Sequence, residues 1–369
     1  MKSRTSLQTA PNATTVDSNG FRAPLTRAKT VVVKVGSRTL ATSPAFYTCI
    51  GAEICALQAR GVRVVVVSSG AIALGTKKLG YKRRPIEMPR LQAAAAAGQS
   101  LLMRAWEEGF EKAGGKVAQV LLSHADLSDR ARANKARDAL RALLDAQCTP
   151  ILNENDSVAV EEIKFGDNDQ LASLVAPLVD ADVLFLLSDV SGLLDAEGVR
   201  VPLVHDIERD ARPLLRAAKS AEGTGGMHTK LEAAKRTVRY GAATVLANAA
   251  EENVLTRALA GEDVGTLFVP ATRRMAAKQH WVAFTLKPLG DVVLDAGCAD
   301  AVLAGKSVLA MGVLGVRGAF EVGDAVRLIR GDGTEIGRAL TKCSSQECAR
   351  AAYARESELL VHRSDVVVW

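Results

Sequence analysis

The chain has 369 residues, 48% hydrophobic and 24% charged, which is enough for two domains of ordinary globular composition and too apolar for a disordered protein. Its formal charge of +6 is concentrated at the start: residues 1–29 hold five Lys or Arg against one Asp, so the remainder carries only +2 and makes no general case for nucleic-acid binding. No run approaches the roughly 18 apolar residues of a membrane span, and six Cys without a C-x-x-C pair, with five scattered His, suggest neither a zinc site nor a disulfide framework, so a reduced cytoplasmic setting is expected.

Residues 1–28 are polar and lack the apolar core of a secretory signal, and they read as a flexible extension or a misassigned start. Apolar runs rich in Val, Ile and Leu follow at 31–35, 62–67, 117–122, 150–152, 183–187 and 244–247, each with the character of a strand buried on both faces. Ala-rich helical segments at 91–113, 131–146 and 229–240 alternate with them, which predicts an α/β fold with a parallel sheet sandwiched by helices and ligands at the carboxyl ends of the strands.

The loops after these runs carry the polar residues. The first run contains Lys34 and is followed by Gly36 and Ser37. A buried Lys needs an anion, such as an ATP phosphate that Gly36 lets the backbone approach, unless it snorkels out of the strand end. The second run ends in Ser68, Ser69, Gly70 and Ala71, small residues that can form an anion-binding turn before a helix. Residues 151–169, ILNENDSVAVEEIKFGDND, concentrate two Asn-Asp pairs where an apolar strand meets solvent. Such a set can grip a zwitterion, with donors for its carboxylate and acceptors for its ammonium, or it can be a polar loop that caps its own backbone. The third loop, Gly223 to Lys230, is glycine-rich and runs into a helical pattern with Lys230 in its expected first turn, where a cation opposes the helix dipole unless it meets an anion or is simply solvated.

No Walker-type glycine loop, dinucleotide fingerprint or protein-kinase signature is present. The ordered set KVGS, SSGAIALG, LNEND, GDND, LLSDVSGL and GTGGMHTK resembles the amino acid kinase family, and more narrowly its glutamate 5-kinases, across roughly residues 30–270. The short β-like runs after residue 281 are similar to the PUA domain that many of those enzymes append. The resemblance implies an amino acid kinase domain at 29–270, a linker at 271–277 and a β-rich PUA domain at 278–366. It also implies ATP-dependent phosphorylation of the γ-carboxylate of L-glutamate, the first step of proline biosynthesis, with Mg²⁺ held chiefly by the ATP phosphates and water rather than by protein ligands.

In that reading Lys34 and Lys230 contact the transferring phosphoryl group and Asp169 holds both lysines, although an N-cap is the alternative role for Asp169. Lys34, Gly36, Ser188, Asp189 and the run Thr224, Gly225, Gly226, Met227, His228, Thr229 and Lys230 are expected at the nucleotide. Asp156 suits the substrate ammonium. Ser69, Asn153 and Asn168 suit carboxylates, and by resemblance Ser69, Asp156 and Asn168 touch substrate, with Gly70 and Asp167 beside them. His228 stands where the family often has Ser, Ser188 where it has Thr, and residues 193–204 lack the family's Tyr-x-x-Asp-Pro pattern. Feedback by proline is expected from the long substrate loop 156–169, and a homo-oligomer, tetramer or dimer, from the resemblance. RNA binding by the PUA domain is the competing activity, but residues 278–369 balance eleven Lys or Arg against eleven Asp or Glu, which argues against a basic face. Cys343 and Cys348 are expected to be a chance surface pair.

Overall fold

The computed structural model describes residues 18–37, 45–158, 167–217, 224–272 and 274–369. The main sheet contains β1 (Thr30–Val35), β2 (Arg63–Ser68), β3 (Val117–Leu122), β4 (Thr149–Glu154), β5 (Val183–Ser188), β6 (Leu203–Val204), β7 (Ala243–Asn248) and β8 (Thr266–Phe268). Their spatial order is β3-β4-β2-β1-β5-β7-β8-β6. All six expected apolar runs are strands of this sheet and pair in parallel. The exception to a purely parallel sheet is β8, which runs antiparallel to β7, and the short β6 and β8 were too brief to show as apolar runs.

Side chains alternate between the faces of a strand. Val31, Val33 and Val35 therefore pack into one layer with the helices Ala45–Ala59, Met88–Glu111 and Val254–Leu259, while Val32 packs into the other with the helices Asp167–Leu178 and Thr224–Tyr240. The same alternation puts Lys34 on the second face, toward the beginnings of those two helices. On the first face Gly75, in the helix Ala71–Lys78, and Gly98, in Met88–Glu111, bring two backbones together: a Cβ at Gly98 would lie 1.8 Å from the Ala71 carbonyl oxygen and one at Gly75 1.7 Å from that of Ala94.

Residues 18–27, expected to belong to the extension, instead form two short helical turns anchored by Arg22. Its guanidinium is buried and donates to the carbonyls of Glu262, Val264, Pro202 and Gly265, with an ion pair to Asp263 at 2.8 Å. The glycine-rich segment also differs from expectation. The helix begins at Thr224, so Lys230 stands in its second turn rather than its first, and Gly225 and Gly226 are helical. The polar composition of this turn hid its helical start, because Gly has the lowest helix propensity after Pro.

The C-terminal part is a small β-rich domain. One sheet has the order β11-β9-β12-β13-β15, from β9 (Gly290–Leu294), β11 (Val313–Gly318), β12 (Ala325–Arg330), β13 (Glu335–Leu340) and β15 (Val366–Val368), and a second pairs β10 (Val308–Leu309) with β14 (Leu359–Val361). Its core holds Cys343 and Cys348, which are buried and joined by a disulfide, so they are not a chance surface pair. Five residues apart, they flank the N-cap Ser344 of the helix Ser345–Tyr353, and that turn brings their Cα atoms to 5.9 Å, within bridging reach. The connection between the two domains is anchored by Trp281, whose Nε1 donates to the Leu127 carbonyl at 2.9 Å. Among the described residues no helix is long and apolar enough to cross a membrane.

Two substitutions probe this packing by thermal denaturation. Gly98→Ala is expected to cost about 3 kcal/mol, because a backbone carbonyl cannot rotate out of the way, whereas Gly315→Ala, whose methyl would meet nothing within 4 Å, should stay within about 0.5 kcal/mol of the parent. Arg22→Ala should cost about 2–4 kcal/mol by leaving four carbonyls without their charged donor, and an unchanged melting temperature would show that residues 18–27 are not part of the folded unit.

Candidate active site

The strand order makes the carboxyl ends of β4, β2, β1 and β5 neighbours, so the loops singled out from the sequence meet along one edge. Lys34, the fifth residue of β1, is 5% exposed, and its Nζ lies 2.7 Å from Asp169 Oδ1. Asp169, in the first turn of the helix Asp167–Leu178, is 1% exposed. Its other oxygen, Oδ2, receives Thr229 Oγ1 at 2.8 Å and Lys230 Nζ at 3.4 Å. Lys230 Nζ also donates to the Gly226 carbonyl at 3.3 Å. The carboxylate thus meets both lysines, Lys34 by an ion pair at Oδ1 and Lys230 by a hydrogen bond at Oδ2, and it lies inside its helix rather than at the N-cap.

Burial by itself would push the Asp169 carboxyl up, but the ammonium groups of Lys34 and Lys230 and the bonds from Lys34 and Thr229 hold it below the usual carboxylate range. Lys34 moves down from the ordinary lysine value, first because it is desolvated and then because Lys230 is close; Asp169 offsets only part of this. Two ammonium groups share one carboxylate, so the trio carries one net positive charge in a largely dehydrated place. Such a cluster is stabilised by an anion. Gly225 and Gly226 lie at the amino end of the helix Thr224–Tyr240, the positive pole of its dipole.

Next to Asp169, Asn168 faces a different set. Its Nδ2 donates to Ser69 Oγ and to Asn153 Oδ1, each at 3.0 Å, and reaches the Ser68 carbonyl at 3.4 Å. Asn153, 2% exposed, also accepts from the Glu154 amide at 2.9 Å and donates to Gln99 Oε1 at 2.9 Å. Both amides were expected to bind carboxylates through their N–H groups. The structure uses the Asn168 N–H groups internally and places Asn153 beneath Asn168 as a support, while Asn168 Oδ1 is buried with no hydrogen-bond partner among the described residues. Gly70, at φ 109°, turns the chain from β2 into the helix Ala71–Lys78, a left-handed conformation suited to Gly.

The remaining expected residues sit around this centre. Ser188 and Asp189 close β5 beside the end of β1, with Ser188 Oγ donating to Asp189 Oδ1 at 3.0 Å. The Gly36 N–H continues the sheet to the Leu187 carbonyl at 3.3 Å. Asp156 opens a short 3₁₀ turn after β4. Met227 packs against the core and His228 is exposed. Thr224 and Gly225 lie in the first helical turn, Asp167 begins its helix, and the substrate-loop residues 159–166 fall outside the described residues. Gln99 carried no signal in the sequence; it sits inside an Ala-rich helix, beside Ser100 in AAAAAGQS. A cavity lined by Leu174, Pro177, His280 and Trp281 lies toward the other end of the helix Asp167–Leu178 and is not part of this site.

Comparison with known proteins agrees with the geometry. The amino acid kinase family model matches residues 29–248 and the PUA domain model residues 290–362. A glutamate 5-kinase of Geobacter sp. (strain M21) is 42% identical over 93% of this chain and 98% of its own length, and one of Burkholderia ambifaria is 45% identical over 89% and 91%. Among solved structures, an N-acetylglutamate synthase from Neisseria gonorrhoeae covers 71% of this chain and 65% of its own at a TM-score of 0.52, and a Giardia carbamate kinase covers 66% and 99% at 0.50. Both are 17% identical and share the fold. With a buried two-lysine centre on one sheet edge and full-length likeness to these enzymes, the chain belongs to the amino acid kinase family, among its glutamate 5-kinases.

Proposed function

We propose that Lys34, Asp169 and Lys230 form the phosphoryl-transfer centre of this kinase, with nucleotide on the β1–β5 side and amino acid on the β4–β2 side. The reaction is ATP-dependent phosphorylation of the γ-carboxylate of L-glutamate to L-glutamyl 5-phosphate, the first step of proline biosynthesis. The observation that carries the residue assignment is the net positive, buried trio: it lacks one negative charge, and the phosphoryl group in transit provides it. Phosphoryl transfer asks for positioning and charge neutralisation. Lys34 and Lys230 gather the oxygens of the moving group, and Asp169 fixes the spacing of the two ammonium groups.

The γ-carboxylate is ionised at neutral pH, so it attacks phosphorus without a general base, and ADP departs as the new acyl phosphate forms. Asp156 and Asn168 offer acceptors to the substrate ammonium, and Ser69 adds a hydroxyl. Ser188, Asp189 and the amides of 224–227 hold the nucleotide. Mg²⁺ would supply further charge neutralisation; both Asp169 oxygens are paired with Lys34, Thr229 and Lys230, which supports a metal that would be carried by ATP and water rather than by this carboxylate. Cytoplasmic location, assembly as a dimer or tetramer, and inhibition by proline belong to the same reading and rest on family likeness.

Hydroxamate formation from ATP, Mg²⁺ and hydroxylamine should be selective for L-glutamate over L-aspartate and N-acetylglutamate, and should weaken when millimolar proline is added. Lys230→Ala is expected to lower kcat by about 10²–10³ in the same assay; a folded variant with parental kcat would remove Lys230 from the centre. The pH profile gives a separate check. Lys34 must be protonated to bind phosphate, and its proton leaves at lower pH than that of an ordinary lysine. The alkaline limb of kcat/KM for ATP should therefore begin below about pH 10.4, and a profile flat through that region would count against Lys34 as a phosphate contact.

A further inference from the structure

The orientation of the substrate-side amides is set at the Glu154 backbone and held at Gln99. Amide oxygens and nitrogens are interchangeable in shape, so a chain of them needs one group of unambiguous polarity to decide which end faces which neighbour. The backbone N–H of Glu154 is that group. It can only donate, and it meets Asn153 Oδ1 at 2.9 Å. Asn153 Nδ2 must then point the other way, where Gln99 Oε1 accepts it at 2.9 Å. Because Asn153 presents its oxygen, Asn168 meets it with Nδ2, and the same nitrogen serves Ser69 Oγ. The Oδ1 of Asn168 is left buried and unsatisfied among the described residues.

We propose that Gln99 is a positioning and specificity residue: by accepting from Asn153 it locks the amide chain so that Asn168 presents its oxygen, and the site selects an acid bearing an ammonium group. This rests on the assignment of L-glutamate to the β4–β2 side and extends it inward to a residue that does not itself touch substrate. Gln99 is 8% exposed in the helix Met88–Glu111, and its Nε2 reaches Gln119 Oε1 on β3 at 3.4 Å, so its own amide is turned with the oxygen toward Asn153. An acceptor removed at Gln99 leaves a buried Asn153 N–H group without a partner, and the cost is relieved when Asn153 rotates away from Asn168. Asn168 then loses the contact that fixes its orientation. A ligand ammonium feels the change, whereas an acid of the same length with no ammonium does not.

The experiment compares wild type with Gln99→Met, which keeps the volume and deletes the acceptor, and Gln99→Glu, which keeps the acceptor. Calorimetry measures binding of L-glutamate and of glutarate, the same diacid without the ammonium, and the hydroxamate assay gives KM and kcat. Gln99→Met is expected to weaken L-glutamate binding and raise its KM by about tenfold, with kcat and the affinity for glutarate within about twofold, and Gln99→Glu should restore most of the L-glutamate affinity. If Gln99→Met does not fold, Gln99→Asn serves, since it withdraws the same acceptor by one methylene. Unchanged L-glutamate binding, or equal losses for both acids, would overturn the proposal. A wild-type chain that binds L-glutamate without phosphorylating it would instead overturn the functional reading, and the binding comparison would still decide the relay.

Discussion

One buried carboxylate organises the catalytic edge. Asp169 is 1% exposed and receives Lys34, Thr229 and Lys230, from a strand and a second helix that are far apart in the chain. An isolated carboxylate at that depth would be strongly disfavoured, and so would either lysine alone; together they are tolerated because each supplies what the others lack. The arrangement still carries a surplus positive charge, which ties the electrostatics of the fold to a ligand. In the proposed assignment, structural stability and affinity for a phosphoryl group are therefore set by the same three side chains.

The scaffold explains why the three meet. A strand residue chooses its face by parity alone, so in the run Val31 to Val35 the odd valines enter one layer while Val32 and Lys34 face the other, where two helices begin. Consecutive residues at one of those helix beginnings then divide the work: Asn168 turns to Ser69 and Asn153, and Asp169 turns to the lysines. Behind this edge the opposite layer is held rigidly. Trp106 Nε1 donates to Ser68 Oγ at 2.9 Å, and the contact through Gly75 and Gly98 fixes the helix that starts at Gly70 against the helix that carries Gln99. The geometry around Asn168 and Asn153 is thus set in part by backbone contacts between the helices behind it.

The departures from expectation share a cause, which is that local composition does not report long-range partners. Arg22 lies in a polar, basic stretch that reads as solvated, yet four carbonyls contributed by residues 180 to 243 positions away make a buried socket for its guanidinium. The helix beginning at Thr224 contains Gly225 and Gly226, whose weak propensity is overridden by the packing of Leu231, Ala233 and Ala234 on the sheet. Cys343 and Cys348 look incidental at a spacing of five, but a helix cap between them and a surrounding apolar core bring them together.

By itself the sequence determined the six main strands and the burial of five of them, because runs rich in Val, Ile and Leu are stable between two layers of helices, whereas 117–122, expected to be buried on both faces, is the edge strand and only Leu122 in it is buried. It also determined which loops bear chemistry, because Lys, Asn, Asp and Gly at the ends of such runs have no core role. It also carried the family, through KVGS, GDND and GTGGMHTK in order. Only the tertiary structure decided what each polar group does. Whether Asn168 presents N–H or oxygen depends on Asn153, which depends on the Glu154 amide and Gln99, and the Gly36 N–H continues the sheet to the Leu187 carbonyl. Hydrogen-bond polarity is a property of the assembled network, and a residue's identity supplies its donors and acceptors without saying where they point.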